Sequence, residues 1–261
     1  MRFRSRALIA PSALAGTCAL VAWWFVLPAA AAPALRPIRF ESARGTVRYD
    51  IYSPPGAGPA DRRPLVVFLH GGRETGRTGS RHLIVGPSVY VHRATTFHPT
   101  GIRPPACPDF FLIHYQAATE DWRPGSADAA ELAATVEHAL ANFPIDPDRV
   151  SLTGHSSGGS GVWAVAAAEP GRWSAIAPVC GIGEPASAPT LRRVPVWIFQ
   201  GALDGSDSVA NAAAMAAALR ACGADVRYTL FPDEGHSVWP RVYLNPDVYA
   251  WLTNHRRTGR E

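Results

Sequence analysis

Residues 149–161 read RVSLTGHSSGGSG, and this stretch decides the fold of the chain. The β-type residues 150–152 predict a strand, and the Ala-rich segment 162–168 predicts a helix. Between them lies Gly154-His155-Ser156-Ser157-Gly158, a G-x-S-x-G pattern. A strand, a tight glycine turn and a helix in this order are typical of a nucleophile elbow, in which the turn exposes a serine. We therefore take Ser156 as the candidate nucleophile.

A base and an acid are required beside this serine, because a serine hydroxyl is a poor nucleophile at neutral pH. In the fold that carries such an elbow, the chain order is Ser, then Asp or Glu, then His. Asp204 follows the apolar strand predicted at 195–199, and His236 lies on a loop after the last apolar strand. We expect Asp204 to be the acid and His236 the base, since the ends of these strands share the elbow's edge of the sheet.

Each of these two residues also has an ordinary structural explanation. A lone aspartate after a strand is often a turn residue or a helix cap, and a loop histidine is often only exposed to solvent. Asp207, Asp233 and Glu234 compete with Asp204 for the position of the acid. His155 lies inside the elbow, where we expect its side chain to point away from the base position, so we interpret it as structural.

A second motif, His70-Gly71-Gly72, directly follows the continuous apolar run 64–69, which predicts a strand buried on both faces. Acyl transfer needs two backbone N–H groups aimed at the developing negative charge. We expect one from Ser157, the residue after the nucleophile, and one from Gly72, with Arg73 as the alternative to Gly72. The HGG motif is weak alone, but upstream of a G-x-S-x-G pattern it favours a hydrolase.

Strands and helices alternate along most of the chain, which predicts an α/β fold with a mainly parallel sheet flanked by helices. Residues 37–53 alternate apolar and polar side chains around Gly45, which predicts an opening antiparallel hairpin. Residues 145–148 (IDPD) predict a turn before the elbow strand. Further strands are predicted at 110–114, 174–179, 195–199 and 226–231, and helices at 126–142, 209–220, 247–256 and, with interruptions, within 82–97.

The 261 residues are 47% hydrophobic and 18% charged, which fits one globular domain, expected over residues 36–257. All 25 basic residues are arginine, and the net charge is only +4. Because the arginines are scattered, we expect no nucleic-acid partner. The arginine-rich segment 73–108 either forms a positive rim for an anionic substrate or is a solvated loop. Its arginines are Arg73, Arg77, Arg81, Arg93 and Arg103.

The first residues have the pattern of a secretory signal peptide. Residues 1–6 (MRFRSR) are basic, residues 7–27 are almost wholly apolar, and alanines at 29–32 offer small residues for cleavage. We expect a signal peptide over residues 1–32 and a secreted or periplasmic mature chain. An uncleaved membrane anchor is the alternative, because the apolar run is long enough to span a bilayer. Only in that case do we expect a stable membrane partner.

Export would permit disulfides, and Cys107, Cys180 and Cys222 remain after the signal segment. An odd number of cysteines allows at most one bridge among them, and the sequence does not decide which pair forms it. No two of them form a C-x-x-C pair. We therefore expect no metal, no thiol-based reaction and no cofactor.

Four stretches carry a family resemblance: LVVFLHGG (65–72), IDPDRVSLTGHSSGGSGVWAVAAAEPGRWSAIAPVCG (145–181), VPVWIFQGALD (194–204) and VRYTLFPDEGHSVWPRVYLNPDVYAWL (226–252). On these stretches the chain resembles secreted α/β-hydrolase esterases of the dienelactone-hydrolase and polyhydroxybutyrate-depolymerase type, including the branch labelled predicted peptidases. The resemblance implies the α/β-hydrolase fold, with Ser156, Asp204 and His236 in the roles given above. Two positions depart from the pattern and bear on substrate preference: Ser157 stands where methionine is usual, and Gln200 where histidine is usual.

These observations predict a serine esterase that cleaves small-molecule or polymer-borne esters through an acyl-enzyme. Residues 173–195 leave little room for the large lid domain that many lipases insert, and an open site suits polar, bulky or polymeric esters. A serine peptidase with the same three residues is the alternative, although we expect no extra domain that would select peptides. A non-catalytic binding protein of this fold is the third hypothesis, but such proteins normally lack one of the three residues.

Overall fold

The computed structural model describes residues 35–76, 83–93 and 108–257. The expected signal peptide or anchor, Cys107, and Arg77, Arg81 and Arg103 lie outside these ranges. The strands are β1 (Arg36–Ser42), β2 (Gly45–Tyr52), β3 (Arg63–Leu69), β4 (Phe111–Tyr115), β5 (Ile145–His155), β6 (Ala175–Val179), β7 (Val196–Gly201) and β8 (Val226–Phe231). The helices are α1 (Pro87–Arg93), α2 (Ala127–Asn142), α3 (Ser157–Ala168), α4 (Ser206–Ala221), α5 (Trp239–Tyr243) and α6 (Pro246–Asn254), with 3-10 helices at Pro170–Arg172 and Pro185–Leu191.

The described strands form one eight-stranded sheet in the order β1-β2-β4-β3-β5-β6-β7-β8. The pairs β1–β2 and β2–β4 are antiparallel, and every pair from β4 to β8 is parallel. The predicted hairpin and the mainly parallel sheet are confirmed, and the architecture is that of an α/β hydrolase. Strands β3 and β5 are parallel neighbours with Leu69 opposite Gly154. The HGG motif and the elbow therefore leave the sheet side by side.

Apolar layers cover both faces of the sheet. On one face, Leu65 and Val67 of β3 belong to the same cluster as side chains of α2, α3 and α4. On the other face, Val66 and Phe68 belong to a second cluster with α1, α5 and α6. Because successive strand residues point to opposite faces, a strand covered on both faces is apolar at every position. This accounts for the continuous apolar run that identified β3 in the sequence.

The connection between β6 and β7 is short and holds only the 3-10 helix Pro185–Leu191. It contains no lid domain, as the sequence predicts. Within the part of the chain that the structure describes, no helix combines the length and hydropathy needed to cross a membrane.

One local prediction needs correction, and one short helix was not predicted. The sequence predicts a turn at residues 145–148, but these residues begin strand β5. Ile145 pairs with Arg63 and Val150 with Leu65, so the intervening residues bulge out of the ladder. The Asp148 N–H donates to the Asp146 side chain, as in a turn, which explains why the turn signal is present in the sequence. Helix α5, a single short turn after the His236 loop, has no corresponding sequence prediction.

The elbow depends on close backbone contact at Gly158. A Cβ atom built on Gly158 would lie 2.1 Å from the Leu69 carbonyl oxygen and 2.4 Å from that of His70. Both obstacles are backbone atoms at the end of β3, and they cannot move away as a flexible side chain can. Glycine at this position therefore allows α3 to pack directly against the neighbouring strand end.

Gly158→Ala is expected to destabilise the fold by about 3 kcal/mol or more, because the added methyl group must displace backbone in a closely packed region. Chemical denaturation of both proteins measures the difference. Gly171→Ala is the matched control, since a Cβ atom there meets nothing within 4 Å. Equal destabilisation by the two substitutions would contradict the close contact at the elbow.

Candidate active site

Ser156 occupies the apex of the turn between β5 and α3. Its backbone has φ 60° and ψ −122°, a conformation that non-glycine residues rarely adopt. The turn is fixed by hydrogen bonds on both sides: the Ser156 N–H donates to the Val179 carbonyl at 2.9 Å, and the Ser160 N–H donates to the Ser156 carbonyl at 3.0 Å. The strained serine at a strand-to-helix turn has the local geometry of a nucleophile elbow.

His236 lies on the loop after β8 and connects the other two side chains. Its Nε2 is 2.8 Å from Ser156 Oγ, and its Nδ1 is 2.9 Å from Asp204 Oδ2. A carboxylate only accepts hydrogen bonds, so Nδ1 carries the proton and Nε2 is left to accept one from the serine hydroxyl. The His236 side chain is 49% exposed, which leaves the row of three groups open to solvent.

Asp204 follows β7 and is held by several donors. Its Oδ2 accepts hydrogen bonds from Gln200 Nε2 at 2.9 Å and from Ser208 Oγ at 3.1 Å, and its Oδ1 accepts from the Gly205 N–H at 2.8 Å. Burial raises the pKa of Asp204, but the hydrogen bonds from His236, Gln200 and Gly205 outweigh it and hold the pKa below its usual value. The Asp204 carboxylate is therefore ionised at neutral pH.

The competing carboxylates are engaged elsewhere. Asp233 and Glu234 both accept hydrogen bonds from Arg241. Asp207 lies in the first turn of α4. Among the described carboxylates, Asp204 is the one that reaches His236 Nδ1.

His155 contacts the loop that carries His236. Its Nε2 is 2.8 Å from the His236 carbonyl oxygen, and the two rings lie 5.1 Å apart. Its role in holding this loop agrees with the structural interpretation made from the sequence. The expected direction of its side chain was wrong, because the ring lies beside the His236 loop and not away from it.

The HGG motif lies against the elbow. A Cβ atom on Gly71 would be 3.4 Å from Ser156 Cβ, and one on Gly72 would be 3.9 Å from Ser157 Oγ. The fully buried His70 fixes this loop: its Nε2 accepts the Ala117 N–H at 2.9 Å, so its Nδ1 carries the proton and donates to the Gly71 carbonyl at 2.9 Å. The structure thus brings together the two segments expected to supply the oxyanion donors.

A partly buried carboxyl group faces these two segments. Glu120 Oε2 would be 3.4 Å from a Cβ atom on Gly72, and the backbone of Glu120 has φ 60°. Burial raises the pKa of Glu120, and the nearby Ser157 hydroxyl opposes that rise. Neither Glu120 Oε1 nor Ser157 Oγ has a hydrogen bond of standard geometry to a described residue. The serine found where methionine is usual therefore belongs to a polar patch beside the HGG loop.

Glu120 also borders a groove of about 720 Å³. Its walls are mainly apolar, and its residues come from the loop after β4, from α3 and from the connection after β6. A groove of this size accommodates a small-molecule ligand. The lining includes Trp122, Ser160, Trp163, Ala164 and Ile182.

The loop that carries Glu120 is held by Asp128 at the start of α2. The Asp128 carboxylate accepts the N–H groups of Ala118 and Thr119, both at 2.9 Å, and the Thr119 hydroxyl at 2.7 Å. Burial raises the pKa of Asp128, but these hydrogen bonds outweigh it and hold the pKa below its usual value. Ser126 is the N-cap of the helix, and its side chain accepts the Ala129 N–H.

Asp128→Asn is expected to destabilise the protein by about 2 kcal/mol at neutral pH, because it removes charge-assisted hydrogen bonds that the buried Asp128 carboxylate accepts from the loop after β4. Because the pKa of Asp128 is lower in the folded state than in the unfolded state, its ionised carboxylate stabilises the fold at pH values above the unfolded-state pKa. This stabilisation is lost as the pH falls through the folded-state pKa of Asp128. The difference between the two proteins should therefore shrink below about pH 4. Denaturation curves across pH measure it, with the exposed Asp109→Asn as control; a difference independent of pH would contradict the account.

Several residues of this site escaped the sequence analysis. Ser208 is one of them, and the role of Gln200 is another, because the sequence relates Gln200 only to substrate preference. Both side chains donate hydrogen bonds to the Asp204 carboxylate, and their spacing of four residues on either side of Asp204 is the only signal of this role. Glu120 reaches the HGG loop from a distant part of the chain, so no local pattern indicates it. For Cys180 the sequence leaves the disulfide pairing open and predicts no metal and no thiol-based reaction; in the structure Cys180 and Cys222 are free thiols.

The three hydrogen-bonded residues lie within the segment of the chain that matches a known protein family. The model of the dienelactone hydrolase family matches residues 111–242, a span that contains Ser156, Asp204 and His236. S-formylglutathione hydrolase of Mus musculus is 30% identical over 153 residues, which are 51% of this chain and 52% of that protein. The enzyme of the same name from Rattus norvegicus is 51% identical over 43 residues, 15% of each chain. The match thus spans about half the length of the mouse relative.

Solved structures share the fold at low sequence identity. A thermostable esterase has a TM-score of 0.72 and 23% identity, covering 87% of this chain and 64% of its own. An acylaminoacyl peptidase of Pyrococcus horikoshii has a TM-score of 0.63 and 15% identity, and the match covers 87% of this chain and 42% of the peptidase. A ferulic acid esterase has a TM-score of 0.61 and 15% identity, and the match covers 84% of this chain and 98% of the esterase. These likenesses show an α/β-hydrolase fold.

Proposed function

This chain belongs to the dienelactone hydrolase family, and from that premise we propose that it cleaves carboxylic esters through an acyl-enzyme formed on Ser156. The observation that carries the proposal is the continuous row of hydrogen bonds from Ser156 Oγ to His236 and from His236 to Asp204, at 2.8 and 2.9 Å. These distances lie within the range that general-base activation of a serine requires.

The reaction begins when Ser156 Oγ attacks the ester carbonyl carbon while His236 Nε2 accepts the hydroxyl proton. Asp204 holds the ring with its proton on Nδ1 and stabilises the imidazolium that forms. The tetrahedral intermediate collapses, the C–O bond to the alcohol breaks, and His236 returns its proton to the leaving alkoxide. Water then attacks the acyl-enzyme with the same base, and release of the acid regenerates Ser156.

The oxyanion is stabilised in this proposal by the backbone N–H groups of Ser157 and Gly72, with Arg73 as the alternative to Gly72. The contact between the HGG loop and the elbow supports this assignment. The position of Ser157 at the first turn of α3 adds the positive end of the helix dipole. No metal and no organic cofactor takes part in these steps.

The substrate proposed is a small-molecule or polymer-borne ester with a bulky acyl or alcohol group. The groove beside Glu120 supports this choice, because Trp122, Trp163 and Ile182 offer apolar surface next to the elbow. The ferulic acid esterase of the same fold shows that such a scaffold can serve an aromatic ester. The absence of a lid in the connection after β6 leaves room for large esters.

A serine peptidase is the second candidate. It is favoured by the structural likeness to the acylaminoacyl peptidase, although the match covers only 42% of that protein. Parallel assays of short acyl p-nitrophenyl esters and of acylated amino-acid p-nitroanilides distinguish the two, with Ser156→Ala as control. We expect turnover of the esters to exceed that of the anilides by at least about 100-fold, because p-nitrophenolate is a better leaving group than the p-nitroanilide nitrogen and an esterase does not assist departure of an amine. Preferential turnover of the anilides would contradict the esterase proposal and would favour a peptidase.

The segment 1–32 is proposed to direct export of the chain, which would make the mature protein secreted or periplasmic. The basic start, the apolar run and the alanines before Pro33 support this proposal. An uncleaved segment would instead anchor the enzyme on the outer side of the membrane.

A further inference from the structure

A buried thiol lies beside the proposed acid and base, and no step of the reaction uses it. Cys180 follows β6 and is only 4% exposed. Its backbone has φ 49°, a left-handed conformation that non-glycine residues rarely adopt. In this position one ligand atom each from Cys180, Asp204 and His236 lie within 4.8 Å of one another.

We infer that Cys180, Asp204 and His236 form an inhibitory binding site for a thiophilic divalent cation such as Zn²⁺ or Cd²⁺. The site itself stands on these three residues alone, whereas the inhibition rests on the proposed function of Ser156 and His236. The ion is a regulator or inhibitor here, not a participant in ester cleavage.

The donor set suits such an ion. Thiolate, imidazole and carboxylate are the ligands of zinc in proteins, and three of them with one water is a common arrangement. Zinc–ligand bond lengths put tetrahedral donors about 3.3–3.6 Å apart. His236 Nδ1 and Asp204 Oδ2 are 2.9 Å apart, so they must separate by a few tenths of an ångström. Cys180 Sγ lies within 4.8 Å of them, so it must approach by at most about 1.2 Å. The half-exposed His236 gives the ion access.

Binding would trap the histidine in an unproductive tautomer. The ion takes the lone pair of Nδ1, so the ring proton moves to Nε2, and the thiol proton of Cys180 is released to solvent. Nε2–H then faces Ser156 Oγ as a donor and cannot accept the serine proton. Ser156 thereby loses its general base.

The other groups near the thiol do not compete for the ion. The thiol lies against the Asp204 carboxylate and the Gly201 backbone, and burial raises its pKa to about 12. Tyr228 and Tyr243 face it with pKa values that burial raises above the usual value, so both remain neutral. A thiophilic cation that binds the thiol displaces its proton.

Cadmium titration of the purified mature enzyme tests the site. Two readouts are followed: ester hydrolysis, and the ultraviolet absorption of a cadmium–thiolate bond, each reversed by EDTA. Cys180→Ser and Cys180→Gly are the test variants; glycine adopts the left-handed backbone without strain, which protects folding. Cys222→Ala is the control, since Cys222 is the other described free thiol.

We expect the wild-type enzyme and Cys222→Ala to be inhibited alike, with the absorption band present in both. Both Cys180 variants should keep activity within a few-fold, lose the band, and need about 10- to 100-fold more cadmium for half-inhibition. Unchanged cadmium sensitivity of the Cys180 variants, or a band that persists in them, would overturn the site. A protein without esterase activity that still shows a band dependent on Cys180 would support the site and refute only the proposed function.

Discussion

Ser156→Ala is expected to lower kcat/KM for a short acyl ester by about five orders of magnitude, while the fold keeps its stability within about 1 kcal/mol. The reason is that the variant has no oxygen within reach of His236 Nε2, so no acyl-enzyme can form. The remaining activity would come from the oxyanion donors and substrate binding alone. Steady-state hydrolysis of p-nitrophenyl acetate or butyrate by both proteins measures the effect.

The neighbouring serine provides the control for this substitution. Ser157→Ala removes a hydroxyl from the same turn but keeps the backbone N–H that we assign to the oxyanion hole. We expect its kcat/KM to stay within about tenfold of the wild-type value, because the donor is unchanged. A similar loss in both variants would mean that the turn, and not the Ser156 hydroxyl, is what the chemistry requires.

Asp204→Asn is expected to lower kcat by about four orders of magnitude with little change in KM. The Asp204 side chain accepts hydrogen bonds from Gln200, Ser208, Gly205 and His236. An amide has one oxygen, so its NH₂ group must face some of these donors. Where it faces His236 Nδ1, the ring carries its proton on Nε2 and cannot act as the base.

Asp207→Asn is the matched control for this prediction, because Asp207 lies three residues away in the first turn of α4. Its substitution should change kcat by less than about threefold, since helix-dipole contacts at exposed positions contribute only about 0.5 kcal/mol. Nearly full activity of Asp204→Asn, or an equal loss in Asp207→Asn, would exclude Asp204 as the residue that orients the base.

The central strands and the elbow could be predicted from the sequence because their signals are local. A strand buried on both faces, such as β3, must be apolar throughout, and the close approach at the elbow requires glycine. The order of Ser156, Asp204 and His236 follows from the connectivity of a parallel sheet, in which successive strands end at the same edge. The structure brings these three side chains into one hydrogen-bonded row.

Other parts depend on contacts between distant segments and have no local signal. The helix after the elbow begins at Ser157 and not at Val162, because glycines needed for packing lower the apparent helix propensity of its first turn. The start of β5 is set by pairing with Arg63 and not by its own turn-forming residues. Glu120 and Cys180 lie near the site because the sheet brings their segments together. Both adopt left-handed backbone conformations that no sequence pattern indicates.

The central claim is that Ser156 is the activated nucleophile, and covalent labelling tests it most directly. The purified protein would be treated with a fluorophosphonate, digested and analysed by mass spectrometry, with folded Ser156→Ala in parallel. We expect one phosphonyl group per chain, located on the peptide that contains Ser156, and none in the variant. A folded wild-type protein that remains unlabelled, or labelling that persists in Ser156→Ala, would contradict the serine-hydrolase mechanism.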